Sequence, residues 1–333
     1  MTTAIIAILI GFVGLIWSAD RFVVGAAAIA KNLGMAPIMI GLTIVAMGTS
    51  APEIIVSINA ALDHAGGLAV GNAIGSNLAN IGLVLGVTAL IAPIPIAPTQ
   101  VKRELPLLVF ATLAAGFLLL DNSLDILDGV CFLILLAGIF YYLVVSKSQQ
   151  PDAEHEADVE HIPELPQLRA WLTFIVGLAL LIVSSKVLVW GAMNIATTLG
   201  VSELIIGLTI VAVGTSLPEL AATIASALKG HHDIAIGNVI GSNLFNLLAV
   251  MAMPALISPA ALDPAVLTRD YAAMTAITLL LAALLVGHQL YARHKTAAGS
   301  VHVATNSYIG RVEGALLLSA YAAYYYLLFP MNS

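Results

Sequence analysis

The sequence predicts an all-α polytopic membrane protein with ten transmembrane helices, arranged as two inverted five-helix repeats. Three observations carry this prediction: the composition, ten long apolar stretches, and a repeat that relates the two halves of the chain. Hydrophobic residues make up 60% of the 333 residues and charged residues only 9%, and the mean hydropathy is +1.01. A soluble domain has about 25% charged residues. Because 12 basic and 19 acidic residues cannot cover a chain of this length, its surface is expected to face lipid.

Ten apolar stretches match the length of a membrane span. A bilayer core about 30 Å thick requires about 20 helical residues. The stretches that meet this requirement are approximately 3–33, 38–62, 69–94, 104–121, 126–146, 169–198, 203–228, 235–258, 270–288 and 310–329. They lack the alternating pattern of barrel strands, so we expect them to be helices.

Two long motifs occur twice in the chain at a fixed spacing. GLTIVAMGTSAPE begins at Gly41 and returns as GLTIVAVGTSLPE at Gly207, 166 positions later. GNAIGSNLAN at Gly71 returns as GNVIGSNLFN at Gly237 with the same offset. Each repeat holds five spans, an odd number, so the second repeat is expected to cross the membrane in the opposite direction, as in many secondary transporters. The predicted divisions are a first repeat, an acidic linker and a second repeat: residues 1–146, 147–168 and 169–333.

The basic residues predict the orientation of the chain. Most of them follow odd-numbered spans: Lys31, Lys102, Arg103, Lys147, Arg169, Lys229, Arg293, Lys295 and Arg311. By the positive-inside rule, these loops and the acidic linker are cytoplasmic and both termini are external. We therefore expect a multi-pass protein of the cell (inner) membrane. The linker concentrates acidic residues that contribute to the net charge of −7, so this charge does not indicate an acidic partner.

Two carboxylates stand near the middle of predicted spans. Glu53 closes GTSAPE and Glu219 closes GTSLPE. A charge at this depth costs several kcal/mol unless it is compensated, so both residues are candidates for function. Because inverted packing would bring the two acids face to face, a bound cation would remove their repulsion. Pro52 and Pro218 predict a local break of each helix just before the acid.

Oxygen atoms suited to a hard cation surround the two acids. The candidates are the main-chain carbonyls of Ala46, Thr49, Ala212 and Thr215, the hydroxyls of Ser50, Ser216, Ser76 and Ser242, and the amide oxygens of Asn80 and Asn246. A shell of oxygen ligands favours Ca²⁺, Na⁺ or Mg²⁺ over Zn²⁺ or Cu²⁺. The sequence therefore predicts a site for a hard metal cation.

A structural interpretation of the same motifs competes with this one. Ser50 and Glu53, like Ser216 and Glu219, have the spacing of a capping box that starts a helix. The GNxxGSN motif could likewise be a surface of small residues for helix packing. We favour a functional site, because the motifs are duplicated and lie inside predicted membrane spans.

The duplicated pair of motifs resembles the alpha-repeats of the cation/calcium exchanger superfamily, in its prokaryotic sodium/calcium antiporter branch. This resemblance covers essentially the whole chain and implies the sodium/calcium exchanger fold, with exchange of Ca²⁺ for Na⁺ by sliding of the first and sixth helices. It also implies roles for the candidate ligands. Glu53 and Glu219 would bind both ions, the Thr49 and Thr215 carbonyls would bind calcium, and Asn80 and Asn246 would lie at the centre. One flanking sodium site would comprise Ala46, Ser50 and Ser76, and the other Ala212, Ser216 and Ser242.

The function that we expect is secondary active antiport. Internal inverted symmetry favours alternating access over a channel, and no pairing of residues on the spans suggests an enzyme. We expect no catalytic residue, no cofactor and no nucleic-acid partner. The expected transported ions are Ca²⁺ and Na⁺. We expect the protein to lie in the lipid bilayer and to function as a monomer. Asn246 stands where the family often has Asp, so Ca²⁺/H⁺ exchange or K⁺-dependent exchange is the alternative.

Overall fold

The computed structural model describes residues 1–147, 164–200, 210, 212–297 and 307–328. Most of the predicted acidic linker and the beginning of the seventh predicted span lie outside these residues.

The first 147 residues fold into nine α-helices, three other short helical segments and two short strands. The helices are α1 (Thr2–Leu33), α2 (Pro37–Ile40), α3 (Ala46–Thr49), α4 (Ala51–Leu62), α5 (Gly66–Ala79), α6 (Gly86–Ile91), α7 (Pro98–Lys102), α8 (Glu104–Leu118) and α9 (Ile126–Lys147). A π-helical segment, Gly41–Val45, joins α2 to α3, and a second one, Asn80–Leu85, joins α5 to α6. The 3₁₀ turn Leu119–Asp121 follows α8. The strands are β1 (Ile94–Ile96) and β2 (Ser123–Leu124).

The described part of the second half follows a similar order. Its helices are α10 (Gln167–Thr198), α11 (Ala212–Thr215), α12 (Leu217–Leu228), α13 (His232–Phe245), α14 (Ala252–Ile257), α15 (Ala272–Ala297) and α16 (Arg311–Leu328). The π-helical segment Asn246–Val250 follows α13, and another, Val266–Tyr271, precedes α15. Its strands are β3 (Ala260–Ala261) and β4 (Ser307–Ile309). β1 pairs with β4 and β2 with β3, both antiparallel.

Several helices are long and apolar enough to cross a membrane. Among the described residues there are seven, or up to eight when the bent pair Pro37–Thr49 and Ala51–Leu62 is counted as one span. The seven are Thr2–Leu33, Gly66–Ile91, Pro98–Asp121, Ile126–Val145, Gln167–Thr198, His232–Ile257 and Val266–Tyr291. The chain is therefore a mostly helical polytopic membrane protein. The predicted seventh and tenth spans are not in this set, so the count of ten remains a prediction.

The end of α1 illustrates how the sequence sets helix boundaries. Gly34 takes a left-handed conformation (φ 63°, ψ 28°), and its N–H donates to main-chain carbonyls of the last turn. Glycine adopts this conformation without steric cost, which is why it so often ends helices. Pro37 then occupies the start of α2, where its missing N–H is not needed.

The chain forms two compact units that do not coincide with the sequence repeats. The first unit contains Met1–Glu53 and Ser146–Ser242, and the second contains Ile54–Val145 and Asn243–Ser333. Each unit takes residues from both predicted repeats. The boundaries that we predict at residues 146 and 169 therefore describe the repeated sequence, and the compact units have different boundaries.

Glycines bring α1 and α10 into close contact in the first unit. A Cβ atom at Gly11 would lie 2.7 Å from the main-chain nitrogen of Leu188. A Cβ atom at Gly177 would lie 2.6 Å from the main-chain nitrogen of Phe22. Gly177 and Leu188 follow Gly11 and Phe22 by the repeat offset of 166 residues. The two contacts are therefore equivalent under the sequence repeat.

A second pair of glycine contacts obeys the same relation. A Cβ atom at Gly25 would lie 2.5 Å from the main-chain nitrogen of Phe174, and one at Gly191 would lie 2.9 Å from Cγ1 of Ile8. Partner numbers on α10 fall as residue numbers on α1 rise, so the two helices are antiparallel. We call Gly11, Gly25, Gly177 and Gly191 the glycine seam. Small residues of this kind allow membrane helices to approach closely.

Apolar side chains fill the space beside the glycine seam. Phe22 stacks on Phe174 with ring centroids 4.8 Å apart, and Trp171 meets Phe174 edge to face. Leu15, Val23 and other buried residues of α1 belong to the same cluster. The first unit thus has a continuous core along the antiparallel helix pair.

In the second unit, polar contacts connect neighbouring helices. The Tyr271 hydroxyl donates to the main-chain oxygen of Thr112 at 2.5 Å. His288 Nε2 lies 2.9 Å from Glu313 Oε1, and Glu313 Oε2 accepts from the N–H of Gly310. Glu313 therefore connects α15 to the first turn of α16.

Candidate cation site

Each GTSxPE motif breaks a helix at its serine. The first break falls at Ser50 (φ −82°, ψ 2°), between α3 and α4, and the helix axis bends there by 44°. The second falls at Ser216 (φ −88°, ψ 3°), between α11 and α12. Pro52 and Pro218 are the second residues of the following helices. Each lacks an N–H to donate to the carbonyl four residues earlier, that of Gly48 or Gly214, and its ring clashes with that carbonyl. The two breaks therefore have the same conformation and the same cause.

Both acids follow directly after a break. Glu53 lies in the first turn of α4 and Glu219 in the first turn of α12. Carboxylates at this position are stabilised by the N–H groups and the dipole of the helix N-terminus. The exposed fraction is 0% for Glu53 and 1% for Glu219. The structure therefore places both acids inside the protein.

The first break is more local than the sequence suggests. The N–H of Ser50 donates to the carbonyl of Ala46 at 2.9 Å, so helical hydrogen bonding continues through Gly48. The Ala46 carbonyl therefore already accepts one main-chain hydrogen bond, because a single non-helical residue suffices to bend the span. A carbonyl oxygen has two lone pairs, so the role of Ala46 as a cation ligand stays a prediction. In the second repeat, the N–H of Ser216 donates to Val213 at 3.1 Å in a tighter turn.

The two repeats meet in the first unit through a side-chain hydrogen bond. Ser50 Oγ donates to Glu219 Oε1 at 3.4 Å. The other carboxylate oxygen of Glu219, Oε2, is buried without a hydrogen-bond partner among the described residues. An unpaired oxygen of this kind is costly unless something compensates it. A cation would do so.

The capping-box interpretation does not describe the second motif. Ser216 makes no side-chain cap hydrogen bond to α12. Its hydroxyl is buried and has no hydrogen-bond partner within the described ranges. Ser216 is therefore available for a ligand, and a helix cap does not account for it.

A cluster of hydroxyl and amide groups lies next to Glu219 in the first unit. Thr49 Oγ1 lies 3.4 Å from Ser242 Oγ, and it donates to Asn238 Oδ1 at 3.1 Å. All three side chains are fully buried. The structure thus brings together Thr49, Ser50, Glu219 and Ser242, four of the residues that the sequence predicts for the site.

Two polar residues of the first unit were missed by the sequence analysis. Asn238 belongs to the repeated GNVIGSNLFN motif, whose repetition was the available signal. Ser185 donates to the main-chain oxygen of Gly214 at 2.9 Å. Pro218, four residues after Gly214, has no N–H to donate to this carbonyl. Ser185 supplies the missing donor, and its repeat equivalent is Ala19, which has no hydroxyl.

The second unit holds three further predicted ligands, Ser76, Asn80 and Asn246, all buried. Asn80 and Asn246 each begin a π-helical segment. Neither side chain has a hydrogen-bond partner for its amide atoms in the part of the chain that the structure describes. Short π-helical segments often occur at functional sites, and buried amides without partners need a ligand, an ion or water.

The two remaining predicted residues mark the ends of a short helix. Ala212 begins α11 and Thr215 ends it. The described residues contain no group of three or more His, Cys, Asp or Glu side chains that could hold a metal ion. A cation site among them would therefore combine at most two of these side chains with hydroxyl, amide or carbonyl oxygens.

Comparison with known proteins identifies the family. The family model described as sodium/calcium exchanger protein matches residues 3–145 and 169–329. The chain is 47% identical to the putative antiporter CaxA of Alkalimonas amylolytica over 99% of both chains. It is 29% identical to the sodium/calcium exchanger MaX1 of Methanosarcina acetivorans, again over 99% of both.

A solved structure supports the same assignment. A structure of the sodium-calcium exchanger NCX_Mj soaked with Na⁺ and Sr²⁺ matches with a TM-score of 0.78 and 30% identity, covering 97% of both chains. The resemblance that the repeated motifs indicate is confirmed, and the chain belongs to the sodium/calcium exchanger protein family.

Proposed function

We propose that this protein is a calcium/sodium antiporter that exchanges Ca²⁺ for Na⁺ by alternating access across the cell membrane. The observation that carries the proposal is the environment of Glu219. Its carboxylate is buried in a helix break and accepts from Ser50 of the other repeat, and Oε2 has no hydrogen-bond partner among the described residues. A buried carboxylate with an open oxygen at a helix break is suited to bind a cation that must lose its water.

The assigned ligands suit ions of this kind. Glu53 and Glu219 supply the charge, and the main-chain carbonyls of Thr49 and Thr215 supply neutral oxygens for calcium. One flanking sodium site uses Ser216 and Ser242, with Ala212; the other uses Ser50 and Ser76, with Ala46; Asn80 and Asn246 complete the set. Calcium accepts six to eight oxygen ligands with flexible geometry, which such a mixture can provide.

Alternating access is supported by the repeat relation within the first unit. We propose ten spans in two inverted five-helix repeats, with both termini external and the acidic linker cytoplasmic. The equivalent contacts of the glycine seam are those expected of two antiparallel helices from inverted repeats. α1 and α10 have 32 residues each, about 48 Å of helix and more than a bilayer core requires. Such helices can slide along the membrane normal without exposing polar backbone to lipid. We propose that the monomer is sufficient for exchange.

A flux assay tests the proposal. We expect proteoliposomes loaded with Na⁺ to take up radioactive calcium, and vesicles loaded with choline or K⁺ to take up only background amounts. Uptake driven by a pH gradient without Na⁺ would contradict calcium/sodium antiport and identify a Ca²⁺/H⁺ exchanger. A requirement for K⁺ together with Na⁺ would identify K⁺-dependent exchange. Absence of calcium uptake under all these gradients would contradict exchange of calcium altogether.

The amide of Asn246 predicts a measurable change on substitution. Asn246→Asp adds a carboxylate at a buried position that we assign to the ligand set, so we expect calcium binding to tighten by about tenfold at neutral pH. Because the added group carries its charge only when deprotonated, the gain is expected to vanish as the pH falls. The test is the calcium concentration for half-maximal uptake, measured at several values from about pH 8 to about pH 5, where the carboxyl group becomes increasingly protonated.

A matched control separates this effect from a general effect of added charge. Asn194 is exposed on α10, and within the described part of the chain it donates only to Trp190 of its own helix. Asn194→Asp is expected to leave the calcium dependence unchanged. Equal responses of the two variants would place Asn246 outside the site.

A further inference from the structure

We infer that Asn238 is a positioning residue for the sodium-binding part of the site. It orients the hydroxyls of Thr49 and Ser242 so that Ser242 presents an oxygen lone pair, and not its proton, to a monovalent cation. The inference rests on the proposed function, because Ser242 is assigned there to a flanking sodium site.

Asn238 uses both ends of its amide inside the first unit. The Asn238 side chain, on α13, is 0% exposed. Its Oδ1 lies 3.1 Å from Thr49 Oγ1, and its Nδ2 lies 3.0 Å from Thr223 Oγ1 and 3.5 Å from the main-chain oxygen of Glu219. The amide therefore connects the cluster around Glu219 with a hydroxyl one turn further along α12.

The main-chain oxygen of Glu219 decides which way this amide faces. A carbonyl oxygen can only accept a hydrogen bond, so the amino group of Asn238 must lie on that side. Oδ1 then faces Thr49, and because it too can only accept, the Thr49 hydroxyl must be the donor. The amide orientation thus follows from the hydrogen-bond partners.

The direction of the Thr49 hydroxyl determines that of Ser242. Two other acceptors lie within reach of Thr49: the carbonyl of Ala46, at 3.3 Å, and the carboxylate of Glu219. Since all three acceptors draw the Thr49 proton away from Ser242, Ser242 donates in their 3.4 Å contact. A hydroxyl binds a cation through a lone pair while its proton points elsewhere. The chain of bonds from Thr223 through Asn238 and Thr49 sets Ser242 in this orientation.

The first repeat contains the equivalent pair of side chains. Asn72 Nδ2 donates to Ser57 Oγ at 3.3 Å. Ser57 and Asn72 precede Thr223 and Asn238 by the repeat offset. A hydroxyl residue and an asparagine therefore occupy corresponding positions in both repeats, and in each repeat the asparagine donates to the hydroxyl. Side chains that only fill space would not need to keep this hydrogen bond.

Asn238→Leu tests the inference, because leucine has a similar volume and no polar atom. The readout is the rise in unfolding temperature of the full-length protein in detergent as Na⁺ replaces choline, since binding to the folded state stabilises it. In Asn238→Leu, we expect half of this rise to require a roughly fivefold higher Na⁺ concentration than in the wild type, which corresponds to the loss of one hydrogen bond. The corresponding Ca²⁺ concentration should stay within about twofold of wild type, because Ser242 is assigned to sodium alone.

Substitutions at Thr223 extend the test if Asn238→Leu fails to fold. Thr223→Val removes the hydroxyl that holds the amino group of Asn238, and we expect a smaller shift in the same direction. Thr223→Ser keeps the hydroxyl, as Ser57 does in the first repeat, and should restore the wild-type Na⁺ dependence. Thr112→Val is the matched control: among the described residues, this buried hydroxyl donates only to Leu108 of its own helix, so its loss should not alter the Na⁺ dependence.

The outcomes distinguish this inference from the proposed function. Wild-type Na⁺ dependence in folded Asn238→Leu would overturn the inference, and so would equal weakening of Na⁺ and Ca²⁺ responses. Absence of any Na⁺-dependent stabilisation of the wild-type protein would overturn it as well. The binding readout does not require transport, so a positive result would stand even if the flux assay contradicted calcium/sodium antiport.

Discussion

Glu219→Gln is expected to abolish calcium exchange while leaving the protein folded. Glutamine can still accept from Ser50, which bonds Oε1 in the wild-type protein, but it brings no charge to the ion. Removing one partner of a buried charge interaction costs on the order of 3 kcal/mol, roughly a hundredfold in affinity. Glu53→Gln is expected to have the same effect, because Glu53 occupies the equivalent position. Sodium-driven calcium uptake into vesicles, at matched protein density, measures the loss.

Glu313→Gln is the matched control for these carboxylates. Glu313 is largely buried but lies outside the predicted site, where it accepts from Gly310 and pairs with His288. The amide oxygen of glutamine can keep the bond from Gly310, so we expect normal uptake. Near-normal exchange by folded Glu219→Gln would remove this residue from the cation site.

Gly177→Leu is expected to prevent stable folding. The first added atom would lie 2.6 Å from the main-chain nitrogen of Phe22 and 2.8 Å from its Cα. Main-chain atoms cannot move aside as a flexible side chain can, so α1 and α10 would have to separate. Overpacking of this kind costs at least about 3 kcal/mol where the backbone cannot adjust. The fraction that elutes as a single species in detergent, and its unfolding temperature, measure the effect.

Gly138→Leu provides the comparison for this substitution. Gly138 lies in α9, and a Cβ atom there would meet nothing within 4 Å among the described atoms. The same change of residue should therefore be tolerated. Equal elution and unfolding temperature for the two variants would show that the glycine seam does not require its close contact.

Sequence patterns predicted those helices well whose bounds depend only on the length of an apolar run. Long apolar runs gave α1, α9 and α10 to within a few residues, because lipid imposes a minimum length. The positions of Glu53 and Glu219 in broken helices also follow from sequence, since proline cannot donate to the carbonyl four residues earlier and clashes with it. The ends of other helices depend on local hydrogen bonds, and these ends differ from the predicted ones by several residues.

Features that depend on distant contacts were not accessible from the sequence. The contacts of Asn238 with Thr49 and Ser185 with Gly214 join residues far apart in the chain. Periodicity and composition carry no information on such pairs, although the repeat of the motif containing Asn238 marked it as unusual.

The glycine seam has the form of a subunit interface contained in one chain. Gly11 meets Leu188, and Gly177 meets Phe22, so the equivalent of each residue meets the equivalent of its partner. This is the rule for an isologous dimer with a twofold axis. A homodimer must place the same residue at both copies of every contact, and covalent linkage removes that constraint. The chain shows the divergence that results: Ser185 holds the Gly214 carbonyl on one side, whereas its counterpart is the methyl group of Ala19.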